Sequence, residues 1–182
     1  MPRNIETKVR VEPPDTLDAV RARAEALADG PLEVIAQDDT FFRAPQGRLK
    51  LRRFADGSAE LIHYERADHA GTRASDYVRV PLADAAAVDA LHAALARACG
   101  ERGRVRKTRW LLLHGATRIH LDRVEGLGDF VELEVVLREG QDDAEGERIA
   151  RELMTALGLA ARPHIAGAYL DLIEASAARA AT

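Results

Sequence analysis

Alternating polar and apolar positions recur along this chain and predict strands with one charged face each. In residues 5–11, Glu6, Lys8 and Arg10 fall on one side of an extended backbone, and Ile5, Val9 and Val11 fall on the other. The same split recurs in Leu49-Lys50-Leu51-Arg52, in Ile119-His120-Leu121-Asp122 and in Val131-Glu132-Leu133-Glu134-Val135, and more loosely in Val105-Arg106-Lys107-Thr108-Arg109-Trp110. A sheet with its polar side in water is the ordinary meaning of such alternation. The sorting of sign speaks against it here. Lys50 with Arg52 and Lys107 with Arg109 form positive pairs, while Glu132 and Glu134 form a negative pair; a solvated face normally mixes the two.

Helical spacing separates these strands. Leu17, Val20, Ala24 and Leu27 share a helical face, with Pro13 and Pro14 before them, Asp15 or Thr16 as a cap and Gly30 after. A second helix follows Pro81, with Val88, Leu91 and Leu95 in phase up to Gly100. A third starts near Asp142 and Asp143 and carries Ile149, Leu153 and Leu157 before Gly158. The stretch from about Gly167 to Ala178 forms a fourth, and residues 177–182 are expected to fray. Asp56-Gly57 and His114-Gly115 read as hairpin turns. No internal repeat and no linker is legible. The order (strand, helix, strands, helix, strands, helix) predicts an α+β chain with an antiparallel sheet.

Composition narrows the chemistry. At 182 residues and 47% hydrophobic content the chain suits a single domain. A net charge of −4 argues against nucleic acid as a partner, so any basic site must be local. No apolar run long enough to span a membrane is present, no signal-peptide pattern opens the chain, and a cytosolic protein is expected. Cys99 reads as a small hydrophobe in an alanine-rich helix. The six histidines do not fall at metal-ligand spacing; His120 shares a strand face with Asp122, where a structural role is at least as good a reading as catalysis. Gly126-Leu127-Gly128 is too short and wrongly placed for dinucleotide binding. Only three of the 26 basic residues are lysines, Lys8, Lys50 and Lys107, each in a strand-like segment beside arginine. A compact ammonium on a mobile stem suits phosphate oxygens.

Taken together, Asn4-Ile5-Glu6-Thr7-Lys8, Gln37-Asp38-Asp39-Thr40-Phe41-Phe42, Leu49-Lys50-Leu51-Arg52, Leu61-Ile62-His63-Tyr64-Glu65-Arg66, Lys107-Thr108-Arg109, the run Ile119 to Glu134 and Tyr169-Leu170-Asp171-Leu172 resemble the CYTH family, the triphosphate tunnel metalloenzymes. The Leu121-Asp122-Arg123-Val124-Glu125-Gly126-Leu127-Gly128 segment looks most like the class IV adenylate cyclase branch and its bacterial relatives. The resemblance implies one CYTH domain over residues 1–176, built as a closed antiparallel β-barrel, a tunnel of about eight strands with a charged lumen and helices outside. It implies phosphate ligands at Lys8, Lys50, Arg52, Arg66, Lys107 and Arg109, with Arg73 and Arg79 as further candidates. It implies Mg²⁺ or Mn²⁺ on Glu6, Asp122, Glu132 and Glu134, and catalytic roles for Glu6 and Lys8.

The expected ligand is a triphosphate such as ATP, thiamine triphosphate or tripolyphosphate. The expected chemistry is hydrolysis of a phosphoanhydride or cyclisation of ATP to cyclic AMP and pyrophosphate; a non-catalytic polyphosphate or nucleotide binding module is the alternative. Oligomeric state, a homodimer included, is left open. Two departures stand out. Asn4 replaces the first glutamate of the E-x-E-x-K signature, and Ala168 stands where many relatives have serine.

Overall fold

The computed structural model describes residues 4–66 and 73–180, without the side chains of residues 66, 73–76 and 180. Its order is β1 (Asn4–Val11), α1 (Leu17–Leu27), β2 (Glu33–Phe42), β3 (Arg48–Phe54), β4 (Ala59–Arg66), β5 (Arg73–Leu82), α2 (Ala85–Ala98), β6 (Glu101–His114), β7 (Thr117–Val124), β8 (Gly128–Val136), α3 (Asp143–Ala156) and α4 (Tyr169–Ala180). The α+β reading holds. The helix starts follow side-chain caps: Thr16, Asp84 and Asp142 accept from the backbone N–H of Ala19, Ala86 and Glu145, each cap contributing about 1 kcal/mol. Helix α4 reaches Ala180, so residues 177–180 form its last turn.

All eight strands pair antiparallel in one strongly curled sheet, in the order β5-β4-β3-β2-β6-β7-β8-β1. The first and last of these also meet, through a seam of two residue pairs, Ile5 with Ala74 and Glu6 with Arg73. The β3–β4 and β6–β7 connections are tight hairpins at Gly57 and Gly115, both at positive φ (86° and 56°), where a side chain would be strained.

Period-two alternation now acquires a direction. Val9 and Val11 of β1 join Leu112, Ile119, Leu121, Val131 and Leu133 on the convex face, packed beneath α1 and α3. Gly146 lets α3 lie close, because a Cβ there would stand 2.7 Å from Ile5 and Leu137. Helix α2 covers Leu51, Ala59 and Phe42 through Val88. The intervening residues turn inward. At one end of the curl the inward residues are apolar, and Phe41, Val105, Val124 and Phe130 are closed over by Tyr169 and Leu170 from the start of α4. Phe130 meets the Tyr169 ring edge-on at 5.0 Å. Asp171 fixes the helix there, accepting from Arg48 (2.7 Å), from Arg102 (2.7 Å) and from the Ala168 N–H (2.7 Å).

Candidate functional site: a charged cavity inside the curled sheet

The concave face encloses a cavity of about 340 Å³, within the range of small-molecule sites. Inward positions of all eight strands line it, together with Ala168 and Tyr169. Its main feature is a device that occurs twice. Asp39 of β2 lies opposite Arg52 of β3, accepting from Arg52 Nε at Oδ1 (2.7 Å), from Arg52 Nη2 at Oδ2 (2.8 Å) and from Lys50 Nζ at Oδ2 (2.7 Å). Asp122 of β7 lies opposite Arg109 of β6 and repeats the contacts atom for atom: Arg109 Nε to Oδ1 (2.7 Å), Arg109 Nη2 to Oδ2 (2.6 Å), Lys107 Nζ to Oδ2 (2.8 Å). A lysine and an arginine two apart on one strand thus hang from one aspartate on the next. The bidentate fork fixes the guanidinium plane.

Burial sets the protonation of these groups. Burial pushes both aspartates up, but Arg52 and Lys50 on Asp39, and Arg109 and Lys107 on Asp122, outweigh it and hold each carboxyl well below its usual range. The lysines go the other way. Burial first, then Arg109, lowers Lys107 to about 7, with Asp122 opposing; burial first, then Arg52, lowers Lys50 to about 8, with Asp39 opposing. A third lysine completes the set. Lys8 Nζ donates to the Gly167 carbonyl (3.2 Å), stands 3.7 Å from Glu132 and lies 4.3 Å from the centre of the Tyr169 ring, with Lys107 4.9 Å from the same ring. The Tyr169 hydroxyl donates to Asp122 (2.9 Å).

Carboxylates gather on β1 and β8. Glu6 pairs with Glu134, and Lys8 with Glu132, in the strand register. Glu134 accepts from Asn4 Nδ2 (2.6 Å) and Arg118 (2.9 Å), while Glu132 accepts from Arg109 (3.1 Å). His120 stands 3.9 Å from each of Glu132 and Glu134, beyond hydrogen-bond reach; burial, then Arg109, holds its imidazole below the ordinary range. Among the described residues, no three His, Cys, Asp or Glu side chains already converge as a metal-binding group. Polar atoms are nonetheless left over. Five buried side-chain atoms lack a partner among the described residues, and three of them, Asn4 Oδ1, Gln37 Oε1 and His120 Nδ1, belong to side chains lining this cavity. Buried polar atoms without a partner are costly.

The expected site residues therefore separate. Glu6, Lys8, Lys50, Arg52, Lys107, Arg109, Glu132 and Glu134 line one cavity, with Arg79 at its half-exposed margin, 3.7 Å from Glu60. Asp122 does not face the cavity as the other three carboxylates do. It is fully buried behind Lys107 and Arg109, its oxygens occupied by both cations and Tyr169. Arg66 and Arg73 lie at the ends of β4 and β5, with side chains outside the described residues. Sequence reasoning gave no role to Asp39, Gln37 or Tyr169. Asp39 precedes its lysine by 11 residues and Asp122 follows its own by 15, so the duplicated device makes no linear repeat; only the strand register brings it out.

The CYTH domain family matches residues 2–169. The chain belongs to the CYTH family. No curated protein matches it. Solved structures of the same fold include the PH1012 protein of Pyrococcus horikoshii OT3 (24% identity, TM-score 0.78, covering 93% of this chain and 98% of that one). A candidate adenylate cyclase from Vibrio parahaemolyticus shares 18% identity at a TM-score of 0.71, over 94% of this chain and 97% of that one. HpAC1 from Hippeastrum, a candidate adenylyl cyclase described as having a dominant triphosphatase activity, shares 16% identity at a TM-score of 0.64, over 90% of each chain. Identities this low speak for the CYTH fold alone. Among the described residues of this CYTH chain, no helix is long and apolar enough to cross a membrane.

Proposed function

We propose that the curled sheet acts as a triphosphate tunnel and that the protein cleaves a phosphoanhydride bond with a divalent metal, water being the acceptor. The observation that carries this reading is the pair of aspartate-held Lys-x-Arg forks, joined by Lys8, all directed at one cavity. Buried cations are costly without a counter-charge. Here each fork is held by one aspartate, Asp122 from behind and Asp39 from within the cavity wall, and offers its remaining N–H groups to whatever enters. Lys8, Lys50, Arg52, Lys107 and Arg109 are the phosphate ligands in this reading, and Arg79 serves at the margin. Asp39 and Asp122 position them; Asp122 is in this reading an anchor for cations rather than a ligand of metal.

Charge balance supports a metal. Among the described lining residues seven cationic side chains face five carboxylates, and Asp122 behind them reduces the formal excess to one. A triphosphate brings roughly four negative charges, so one or two divalent cations close the difference. The donor chemistry fits. Glu6, Glu132 and Glu134 offer hard carboxylate oxygens on adjacent strands, and Asn4 Oδ1 is a buried oxygen without a partner beside them; such donors suit Mg²⁺ or Mn²⁺. A bound metal would polarise the phosphoryl oxygens and lower the pKa of its water. The residues of the chain fix the phosphates in line, neutralise charge that develops on the leaving group through Lys8 and the two forks, and exclude bulk water by closing one end with Tyr169.

The test is incubation of purified protein with ATP or tripolyphosphate and Mn²⁺ or Mg²⁺, followed by chromatography. Orthophosphate is the expected product, turnover should cease in chelator, and Glu132→Gln and Glu134→Gln should lose turnover while retaining part of the triphosphate binding. Cyclic AMP with pyrophosphate would assign cyclisation instead. Binding without any product would leave a non-catalytic module.

A further inference from the structure

On three neighbouring strands the cation-bearing face changes character at the next inward position. Arg52 is followed two residues on by Phe54 in β3, and Arg109 by Leu111 in β6. Between them on β2, Ile35 pairs with Arg109, and Gln37 pairs with both Phe54 and Lys107. Ile35, Phe54 and Leu111 thus form one apolar layer at the end of the curl opposite Tyr169. Two residues of extended chain advance about 7 Å, so a ligand whose phosphates lie on Arg52 and Arg109 brings its next groups to this layer.

These three residues are not core. They line the cavity and are only half-buried, and none joins the four buried apolar clusters. The far end behaves differently. There the inward apolar residues Phe41, Val105 and Phe130 are sealed by Tyr169 and Leu170. An inward-facing apolar layer kept half open beside a ring of cations has the composition expected where a ligand is anionic at one end and flat and apolar at the other.

We propose that Ile35, Phe54 and Leu111 form a base-binding shelf, and that the protein selects nucleoside triphosphates over inorganic tripolyphosphate. The inference rests on the triphosphate reading of the same cavity and adds its specificity element. Phe54 supplies a ring for stacking, and Ile35 and Leu111 supply area beside it. Recognition through area and stacking is tolerant of base identity, because every base has an apolar face; ATP and GTP should be held alike.

Calorimetric titration of ATP, GTP and tripolyphosphate into the parent, Phe54→Ser, Leu111→Asn and Phe54→Trp proteins tests this, with thermal melts to verify folding. The parent should bind ATP more tightly than tripolyphosphate. Phe54→Ser should weaken ATP and GTP by roughly tenfold, the loss of one stacked ring, with tripolyphosphate held within about twofold, and Phe54→Trp should retain ATP. Should Phe54→Ser fail to fold, Leu111→Asn carries the same comparison. Equal ATP and tripolyphosphate affinity with silent variants would overturn the shelf alone, as would a parallel loss of all three ligands. Failure of tripolyphosphate to bind the parent would instead remove the phosphate reading beneath it.

Discussion

The two aspartate forks share their chemistry and differ in their surroundings. Around Asp39, the Lys50 and Arg52 side chains keep 12% and 13% of their surface exposed, whereas Lys107 and Arg109 around Asp122 keep 4% and 10%, and Asp122 keeps none. The difference traces to α4. Tyr169 lies over the second fork, donates to Asp122 and stands near Lys107; Lys50 also has rings nearby, Phe41 at 5.4 Å and Tyr64 at 5.8 Å, but among the described residues no hydroxyl donates to Asp39 as Tyr169 does to Asp122. Burial lowers both lysines, Lys107 to about 7 and Lys50 to about 8. Identical bonds therefore sit at slightly different depths, the Asp122 fork being the more fully covered, and their contributions to stability and to binding should diverge.

The largest expected divergence is in stability. Asp122→Asn leaves Arg109 buried, and an arginine cannot shed its proton, so a loss of about 3–5 kcal/mol is expected. Asp39→Asn leaves cations that water reaches more readily and should cost about 2 kcal/mol. Denaturant melts of both variants measure this; equal losses would erase the distinction between the forks. Next comes binding. Lys107→Ala and Lys8→Ala should each weaken tripolyphosphate by about 1.5–3 kcal/mol, as for a charge-assisted contact, and Lys50→Ala by an amount at the low end of that range, because its fork keeps somewhat more exposed surface.

The smallest effect is in protons. A folded-state lysine pKa below the ordinary 10.5 means that the unfolded chain binds more protons, so the unliganded fold should gain stability as pH rises from about 7 towards 10. Triphosphate favours the protonated lysines and should oppose this. Without metal, near pH 8, binding should take up protons, seen as a binding enthalpy that changes with the ionisation enthalpy of the buffer. Lys107→Ala should remove most of that uptake and Lys50→Ala less of it; a buffer-independent enthalpy would contradict the assignment.

Much of this was legible in the alternation. It put Lys8, Lys50, Arg52, Lys107, Arg109, Glu132 and Glu134 on the charged faces of their strands, because a strand's period of two survives folding, while the inward direction of those faces came from the family resemblance. It could not show which partner each charge meets, since that depends on register between strands distant in sequence. Asp122 shared a strand face with His120, and the resemblance implied a metal ligand there; only the pairing of β7 with β6 puts it under Arg109. The open shelf was invisible for the same reason: Ile35, Phe54 and Leu111 lie in three separate segments. Asn4, by contrast, was legible as a departure, and its amide does stand against Glu134.

The central claim is that the two forks and Lys8 together hold a triphosphate. Calorimetric titration of tripolyphosphate into the parent and into the Lys50→Ala/Lys107→Ala double variant tests it most directly, because one lysine is taken from each fork while both aspartate–arginine pairs stay in place. The account predicts saturable binding by the folded parent and a loss of at least about a hundredfold in the double variant, the sum of two charge-assisted contacts. Parent-like affinity in a folded double variant would contradict it.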